Sequence, residues 1–285
     1  MVAQSAGKIS ERQQPAFRTA VCQFKVGASK EENLGRARDF LRRAAGEGAR
    51  LVVLPEMFVC PYEARLFPEY AESYPGGAAA EMLCRAAREE GVYIVGGSFP
   101  EREGKRLYNS SFVFDPEGKV LARHRKVHLF DVDLPGGLSF KESATLSPGR
   151  SATVVPTPWG TLGVAVCFDI RFPALFHEMT QRGAEIIVIP AAFNMITGPA
   201  HWELLLRTRA VDNQVYMVGA APARDASANY VAFGHSMVVN PWGEVLARAG
   251  PAEEIIVAEI DVDYLKRVRE QLPAAKQMHK REAVR

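Results

Sequence analysis

Short β-prone apolar runs recur along this chain with helix-patterned segments between them, and that alternation restricts it to layered α/β architectures. Phe17 to Phe24 is the first run. Ser29-Lys30-Glu31-Glu32 follows as a capping box, and Leu34, Ala37, Leu41, Ala44 and Ala45 then repeat at helical spacing until Gly46 and Gly48 interrupt. Leu51 to Leu54 is a short buried-type strand ending at Pro55-Glu56. A helix is predicted from Ala78 to Glu90, stopped by Gly91, with Val92 to Val95 resuming the sheet. Later strands are expected at Thr161 to Val166, Glu185 to Ile189, Val215 to Gly219 and Ile255 to Ile260. The segment His201 to Asn213 reads as a helix offering Leu204, Leu205 and Ala210 to the core.

An internal echo refines this. Phe112 to Arg123 and Met237 to Arg248 both read strand, Asx-Pro-x-Gly turn, strand, with Gly118 and Gly243 where a positive φ is wanted. One such hairpin in each half points to two sheets of similar build packed face to face. Two hairpins of a common type can also agree by chance.

With 285 residues and no Gly/Ser or Pro-rich linker, the chain reads as one large domain. The 35 basic and 33 acidic side chains nearly cancel, so no strong field points at nucleic acid or an acidic membrane. No apolar stretch approaches a membrane span. The four cysteines, Cys22, Cys60, Cys84 and Cys167, lack paired spacing and fit a reducing, cytoplasmic setting. Cys22 reads as core, and Cys60 as a bystander beside Glu56. Residues 1–16 are polar, without the apolar core of a secretory signal. They read as a flexible arm, with organelle targeting left open. The domain proper is placed at 17–272, and residues 273–285 as a C-terminal extension.

Chemistry is expected where strands end. Cys167 closes the run Leu162 to Val166 and precedes Phe168-Asp169-Ile170-Arg171-Phe172-Pro173, which reads as the start of a helix running toward Gly183. Free backbone N–H groups at a helix start favour thiolate and oxyanion alike. A lone thiol there also reads as a small core residue. Glu56 emerges from a buried strand, where desolvation raises a carboxylate toward useful proton-transfer values, although an ordinary loop carboxylate has the same address. Lys126 lies in Arg123-His124-Arg125-Lys126-Val127-His128, a run more often solvated than catalytic. His124 and His128, with Asp131 and Asp133 nearby, raise a metal reading. The glutamate of a zinc-protease helix is missing, so no metal is expected.

Together Glu56, Lys126 and Cys167 supply a base, a cation and a nucleophile. In the contexts Leu-Pro-Glu56-Met-Phe, His-Arg-Lys126-Val-His-Leu-Phe-Asp and Val-Cys167-Phe-Asp-Ile-Arg-Phe-Pro, the chain resembles the nitrilase superfamily of carbon–nitrogen hydrolases, from about Phe17 to Leu272. A further family glutamate matches Glu142 in Phe-Lys-Glu142-Ser-Ala. Within the superfamily the likeness is to omega-amidases, through Phe130-Asp-Val-Asp-Leu-Pro-Gly, Thr197-Gly-Pro-Ala-His-Trp-Glu and Gly234-His-Ser-Met-Val-Val-Asn-Pro-Trp-Gly. The resemblance implies a four-layer αββα sandwich with two mixed sheets, a homodimer and no cofactor. The C-terminal extension is then a candidate for the dimer interface. It also implies hydrolysis of the terminal amide of α-ketoglutaramate or α-ketosuccinamate through a Cys167 thioester, with Lys126 and the Phe168 N–H holding the oxyanion. Glu142 would orient Lys126 or the water.

For substrate contacts, position nominates Arg171 and Tyr62 toward a carboxylate, and Phe193 and Thr197 as pocket walls. Departures from the family around Cys60-Pro61-Tyr62-Glu63 bear on substrate preference. The competing expectations are an amidase for deaminated glutathione or aliphatic amides, a nitrile hydrolase, a papain-like thiol hydrolase using a histidine such as His177, and a non-catalytic binding module.

Overall fold

In the computed structural model, residues 16–134 and 138–274 are described; the predicted arm, apart from residue 16, and most of the C-terminal extension lie outside them. The strands of the first half are β1 (Phe17–Gln23), β2 (Leu51–Val53), β3 (Glu72–Ser73), β4 (Tyr93–Val95), β5 (Phe99–Glu103), β6 (Arg106–Phe114), β7 (Val120–Arg125), β8 (Asp131–Leu134) and β9 (Leu138–Lys141). Those of the second half are β10 (Thr153–Thr157), β11 (Gly160–Val164), β12 (Ala184–Pro190), β13 (Tyr216–Ala220), β14 (Met237–Val239), β15 (Val245–Arg248) and β16 (Glu254–Ile260). The helices are α1 (Lys30–Gly46), α2 (Phe67–Tyr70), α3 (Ala78–Glu90), α4 (Pro173–Gln181), α5 (Thr197–Asn213) and α6 (Val262–Gln271).

Local sequence explains the ends of these helices. The Ser29 hydroxyl accepts from the Glu32 N–H and starts α1. Gly91, at φ 65°, ends α3 in the left-handed conformation that glycine tolerates. Pro173 opens α4, where its missing N–H costs nothing. Helix α5 begins a turn before the expected His201, because Asn194 Oδ1 accepts from the N–H groups of Ile196 and Thr197. Its core face also differs from the expectation: Leu204 is 62% exposed, while Trp202, Leu206 and Ala210 are buried.

The two sheets share one wiring. In the first, β1, β2 and β4 run parallel and are followed by antiparallel β6 and β7. In the second, β11, β12 and β13 run parallel and are followed by antiparallel β14 and β15. Each parallel set is flanked by an antiparallel strand, β16 on β1 and β10 on β11. The hairpin echo is thus the tail of a repeat. Asp115 and Asn240 make the same bonds: each side chain accepts from the residues two and four further on. Gly118 and Gly243 sit at φ 76° and 86°.

Strand alternation separates the apolar layers. Val21, Val53, Val95 and Val113 face Leu162, Val164, Ile186, Val188 and Val218 between the sheets. The opposite face of the first sheet, Ala20, Cys22, Val52 and Ile94, packs under α1 and α3. That of the second, Ile187, Ile189, Met217 and Val239, packs under α4 and α5. The result is the expected αββα sandwich. No helix among the described residues is long and apolar enough to cross a membrane.

Candidate active site

Three strand ends converge. Glu56 follows β2 and the Leu54-Pro55 pair, and the Ser98 hydroxyl accepts from the Met57 N–H just beyond it. Lys126 follows β7; its N–H donates to Asn109 O at 2.9 Å and its carbonyl accepts from Gly149 N at 2.7 Å. Cys167 begins a 3₁₀ segment, Cys167–Arg171, just past β11, with φ 46°. A left-handed φ at a non-glycine residue is strained, and such strain is held in place by surrounding bonds at functional sites. Glu142 opens a second 3₁₀ turn after β9, exchanging bonds with the Phe130 backbone.

The polar ends of these side chains meet in a dry cluster. Lys126 Nζ lies 2.9 Å from Glu56 Oε1, 2.9 Å from Glu142 Oε2 and 3.3 Å from the Tyr62 hydroxyl, and Lys126 and both carboxylate side chains are fully buried. Asn109 Nδ2 donates to Glu56 Oε1 at 2.8 Å and to Glu142 Oε1 at 3.2 Å. Glu56 Oε2 has no hydrogen-bond partner of nitrogen or oxygen among the described residues, and the Cys167 thiol is a neighbour of the Glu56 carboxylate.

Burial raises the Glu56 pKa; Lys126 opposes this and the Glu142 charge adds to it. For Lys126 burial acts in the lowering direction but is outweighed by Glu142 and Glu56, so the ammonium is held well above its ordinary value. Burial, with the Glu56 charge, pushes the Cys167 thiol well up. The resting site therefore holds a protonated thiol facing a carboxylate of raised basicity, beside a permanent cation. That arrangement can deprotonate a nucleophile only as it attacks.

Cys167 opens into a narrow slot of about 10 Å³ lined by Phe130, Phe168, Arg171, Phe193, Thr197 and Tyr230. On the Glu56 side lies a wider cavity of about 230 Å³, walled by Tyr62, Cys60 and Asn229 among others; Ala192 and Tyr230 border both spaces. The structure thus brings Arg171, Phe193 and Thr197 to the thiol, and Tyr62 to the charge cluster. Arg171 is half-buried, bonds only weakly to His201 Nδ1 at 3.3 Å and has no carboxylate partner among the described residues. Cys60 is buried against the wider cavity and its thiol is pushed up by burial. Cys22 is core, as expected.

Sequence reasoning missed three residues. Asn109 lies inside β6, where Asn109-Ser110-Ser111 is a polar run buried in a strand, and that was a signal. Tyr230, whose hydroxyl donates to Ala192 O, comes from an irregular loop that gave none. Asp169 was visible two residues after the thiol. His124 and His128 both turn to Asp169 rather than to each other, and no group of metal-ligand type is found among the described residues. His177 pairs with Gln181 a turn further along α4; the titratable group beside the thiol is the Glu56 carboxylate.

A buried thiol, carboxylate and ammonium at the strand ends of an αββα sandwich point to a class, the hydrolases of carbon–nitrogen bonds. Residues 18–270 match the carbon–nitrogen hydrolase family, and the chain belongs to it. It is 53% identical to omega-amidase NIT2 of Danio rerio, over 92% of this chain and 94% of the relative. With the Homo sapiens omega-amidase NIT2 the identity is 51%, over 92% and 95%. Among solved structures, Saccharomyces cerevisiae Nit3, a member of branch 10 of the nitrilase superfamily, superposes with a TM-score of 0.85 at 40% identity, over 94% of this chain and 97% of that one. A mutant of the Nesterenkonia AN1 amidase, from the same superfamily, superposes with a TM-score of 0.73 at 27% identity, over 90% and 96%.

Proposed function

We propose that the protein is an omega-amidase that hydrolyses the terminal amide of α-keto dicarboxylic acid monoamides, α-ketoglutaramate and α-ketosuccinamate, to the keto acid and ammonia. The observation that carries the substrate class is Arg171, a half-buried guanidinium beside the thiol with no carboxylate of its own among the described residues. A keto acid carboxylate supplies the missing partner, whereas a simple aliphatic amide leaves the cation unmatched. Phe193 and Thr197 wall the acyl group.

Cys167 Sγ attacks the amide carbon while its proton passes to Glu56. Lys126 Nζ and the Phe168 N–H hold the oxyanion; Phe168 lies in the first turn of its 3₁₀ segment, where N–H groups lack an intrahelical acceptor. The C–N bond breaks as Glu56 returns the proton to the amine, and ammonia leaves a thioester. Glu56 then takes a proton from water as the hydroxide attacks the thioester, the C–S bond breaks to release the keto acid, and Glu56 returns the proton to the Cys167 thiolate. Glu142, bonded to Lys126 and to the Phe130 N–H, keeps the ammonium aimed between the two carboxylates. No step calls for a cofactor.

The protein works as a homodimer. Leu204, Val211 and Trp242 are 62%, 45% and 53% exposed and border one groove along α5 with Glu203, Arg207 and Asp212, a mixed face whose apolar residues a second copy would cover. Four free thiols suit a reducing compartment such as the cytoplasm.

Ammonia release from α-ketoglutaramate by the wild type and by Cys167→Ala tests the activity. Turnover that vanishes in the variant is expected, and a wild type inert on this substrate overturns the assignment. Leu204→Glu should halve the mass seen by light scattering; an unchanged mass places the interface elsewhere.

A further inference from the structure

We infer that Asp169 is a positioning residue that fixes the nucleophile and the oxyanion-holding lysine relative to each other, acting through His124 and His128. The inference rests on the Glu56–Lys126–Cys167 reading above. Asp169 is fully buried and accepts four hydrogen bonds, two at each oxygen. Oδ2 takes the Val166 N–H at 3.0 Å and His124 Nε2 at 3.2 Å; Oδ1 takes the His128 N–H at 2.9 Å and His128 Nδ1 at 2.8 Å. Burial alone would raise its pKa, but the bonds from His124 and His128 outweigh burial and hold the carboxyl well below the usual range. It is an ionised group in a dry place, and each of these four donors belongs to one of two segments.

Those segments are the ones the chemistry needs. His124 and His128 stand two residues to either side of Lys126. Val166 and Asp169 bracket Cys167, so the Val166 bond closes the turn that holds Cys167 at φ 46°. One carboxylate therefore ties the lysine segment to the nucleophile turn through their backbones and flanking residues, beside the side-chain link that Glu56 makes between Lys126 and Cys167. The far ends are anchored too. Thr153 Oγ1 lies 2.9 Å from His124 Nδ1, and the His128 ring stacks on Phe172 at 3.6 Å. A carboxylate can only accept, so it fixes the ring tautomers: His124 carries its proton on Nε2 and His128 on Nδ1.

Asparagine at position 169 keeps the shape but turns one acceptor into an NH₂ facing two donors, so the turn or the lysine segment must move. A misplacement of about 1 Å costs roughly 100-fold in rate. The expected result for Asp169→Asn is a kcat lowered about 100-fold with KM changed less than about threefold, because the substituted side chain itself lines neither cavity. Alkylation of Cys167 by iodoacetamide, located by mass spectrometry, should slow in step with kcat. The histidine arm gives a test independent of folding at position 169. His124→Gln keeps a donor near the Nε2 position and should stay within about tenfold of wild type, whereas His124→Leu should behave like Asp169→Asn. Equal kcat in His124→Gln and His124→Leu, or full kcat in Asp169→Asn, overturns the inference. A rise in KM with unchanged kcat does so as well, by making the residue part of the pocket instead. Cys167→Ala, run alongside, separates this failure from failure of the catalytic assignment: were it active, the nucleophile itself would be wrong.

Discussion

Replacing Lys126 with methionine keeps the length of the side chain and removes its charge, and the surroundings set the consequences. Nζ lies within 3.3 Å of Glu56 Oε1, both Glu142 oxygens and the Tyr62 hydroxyl, in a site with no exposed side-chain area for Lys126 or either glutamate. Breaking a buried ion pair from one side costs about 3–5 kcal/mol of stability, because the stranded charges stay buried. Here two carboxylates are stranded, with the Asn109 amide shared between them and the Phe130 N–H on Glu142 as the remaining strong donors. Glu56, already lifted by burial and by the Glu142 charge, loses the opposing pull of Lys126 and takes up a proton, and this gives the sign of the pH dependence. A carboxyl whose folded pKa is raised, as that of Glu56 is, costs little stability at acid pH and progressively more as the pH climbs past its unfolded value. Urea unfolding should therefore show a smaller loss for Lys126→Met at about pH 5.5 than at about pH 8. Activity is lost separately, since removal of one oxyanion donor costs about 2.7–4 kcal/mol, or 10²–10³ in kcat. Ammonia release under saturating amide, on protein shown to be folded, measures it. A variant within tenfold of wild-type kcat would refute the oxyanion role, and a stability loss independent of pH would refute the ion cluster.

Two further outcomes test the same geometry. Glu56 must be ionised to take the thiol proton, and burial lifts it above its ordinary 4.5 against the pull of Lys126. The acid limb of kcat/KM should accordingly lie above that value, and a limb centred at or below it would mean that another group is the base. Tyr62→Phe removes a hydroxyl 3.3 Å from Lys126 Nζ but keeps the ring that packs at a tilt 4.7 Å from Tyr230. It should cost about 1 kcal/mol in stability, the usual worth of one buried hydrogen bond, with KM for α-ketoglutaramate nearly unchanged. A large rise in KM would instead make Tyr62 a substrate contact.

Much of this architecture can be read from the chain because period-two alternation and chemistry occupy different places. Val21, Val53 and Val95 face one way and Ala20, Val52 and Ile94 the other, so both faces of the first sheet are apolar and its strands read as continuous buried runs. Glu56, Lys126 and Cys167 stand just past such runs, where a polar residue breaks the pattern and is noticed. Helix α5 shows where that logic weakens: apolar residues cover several of its faces, and only tertiary packing decides that Trp202 and Leu206 go in while Leu204 stays out. Asn109 shows the opposite failure. It interrupts no pattern by standing at a strand end; it sits inside β6, and a strand read for apolar content is silent about why Asn109-Ser110-Ser111 is buried. Polar side chains buried in a strand need partners from outside it. For Asn109 those partners are Glu56 and Glu142 from two other segments. Asp169 follows the same rule, bonded by residues that flank Lys126 and Cys167. The proposed catalytic groups are legible one by one because each marks the end of its own strand. The residues that hold them together become legible only when buried polar positions are asked where their bonds go.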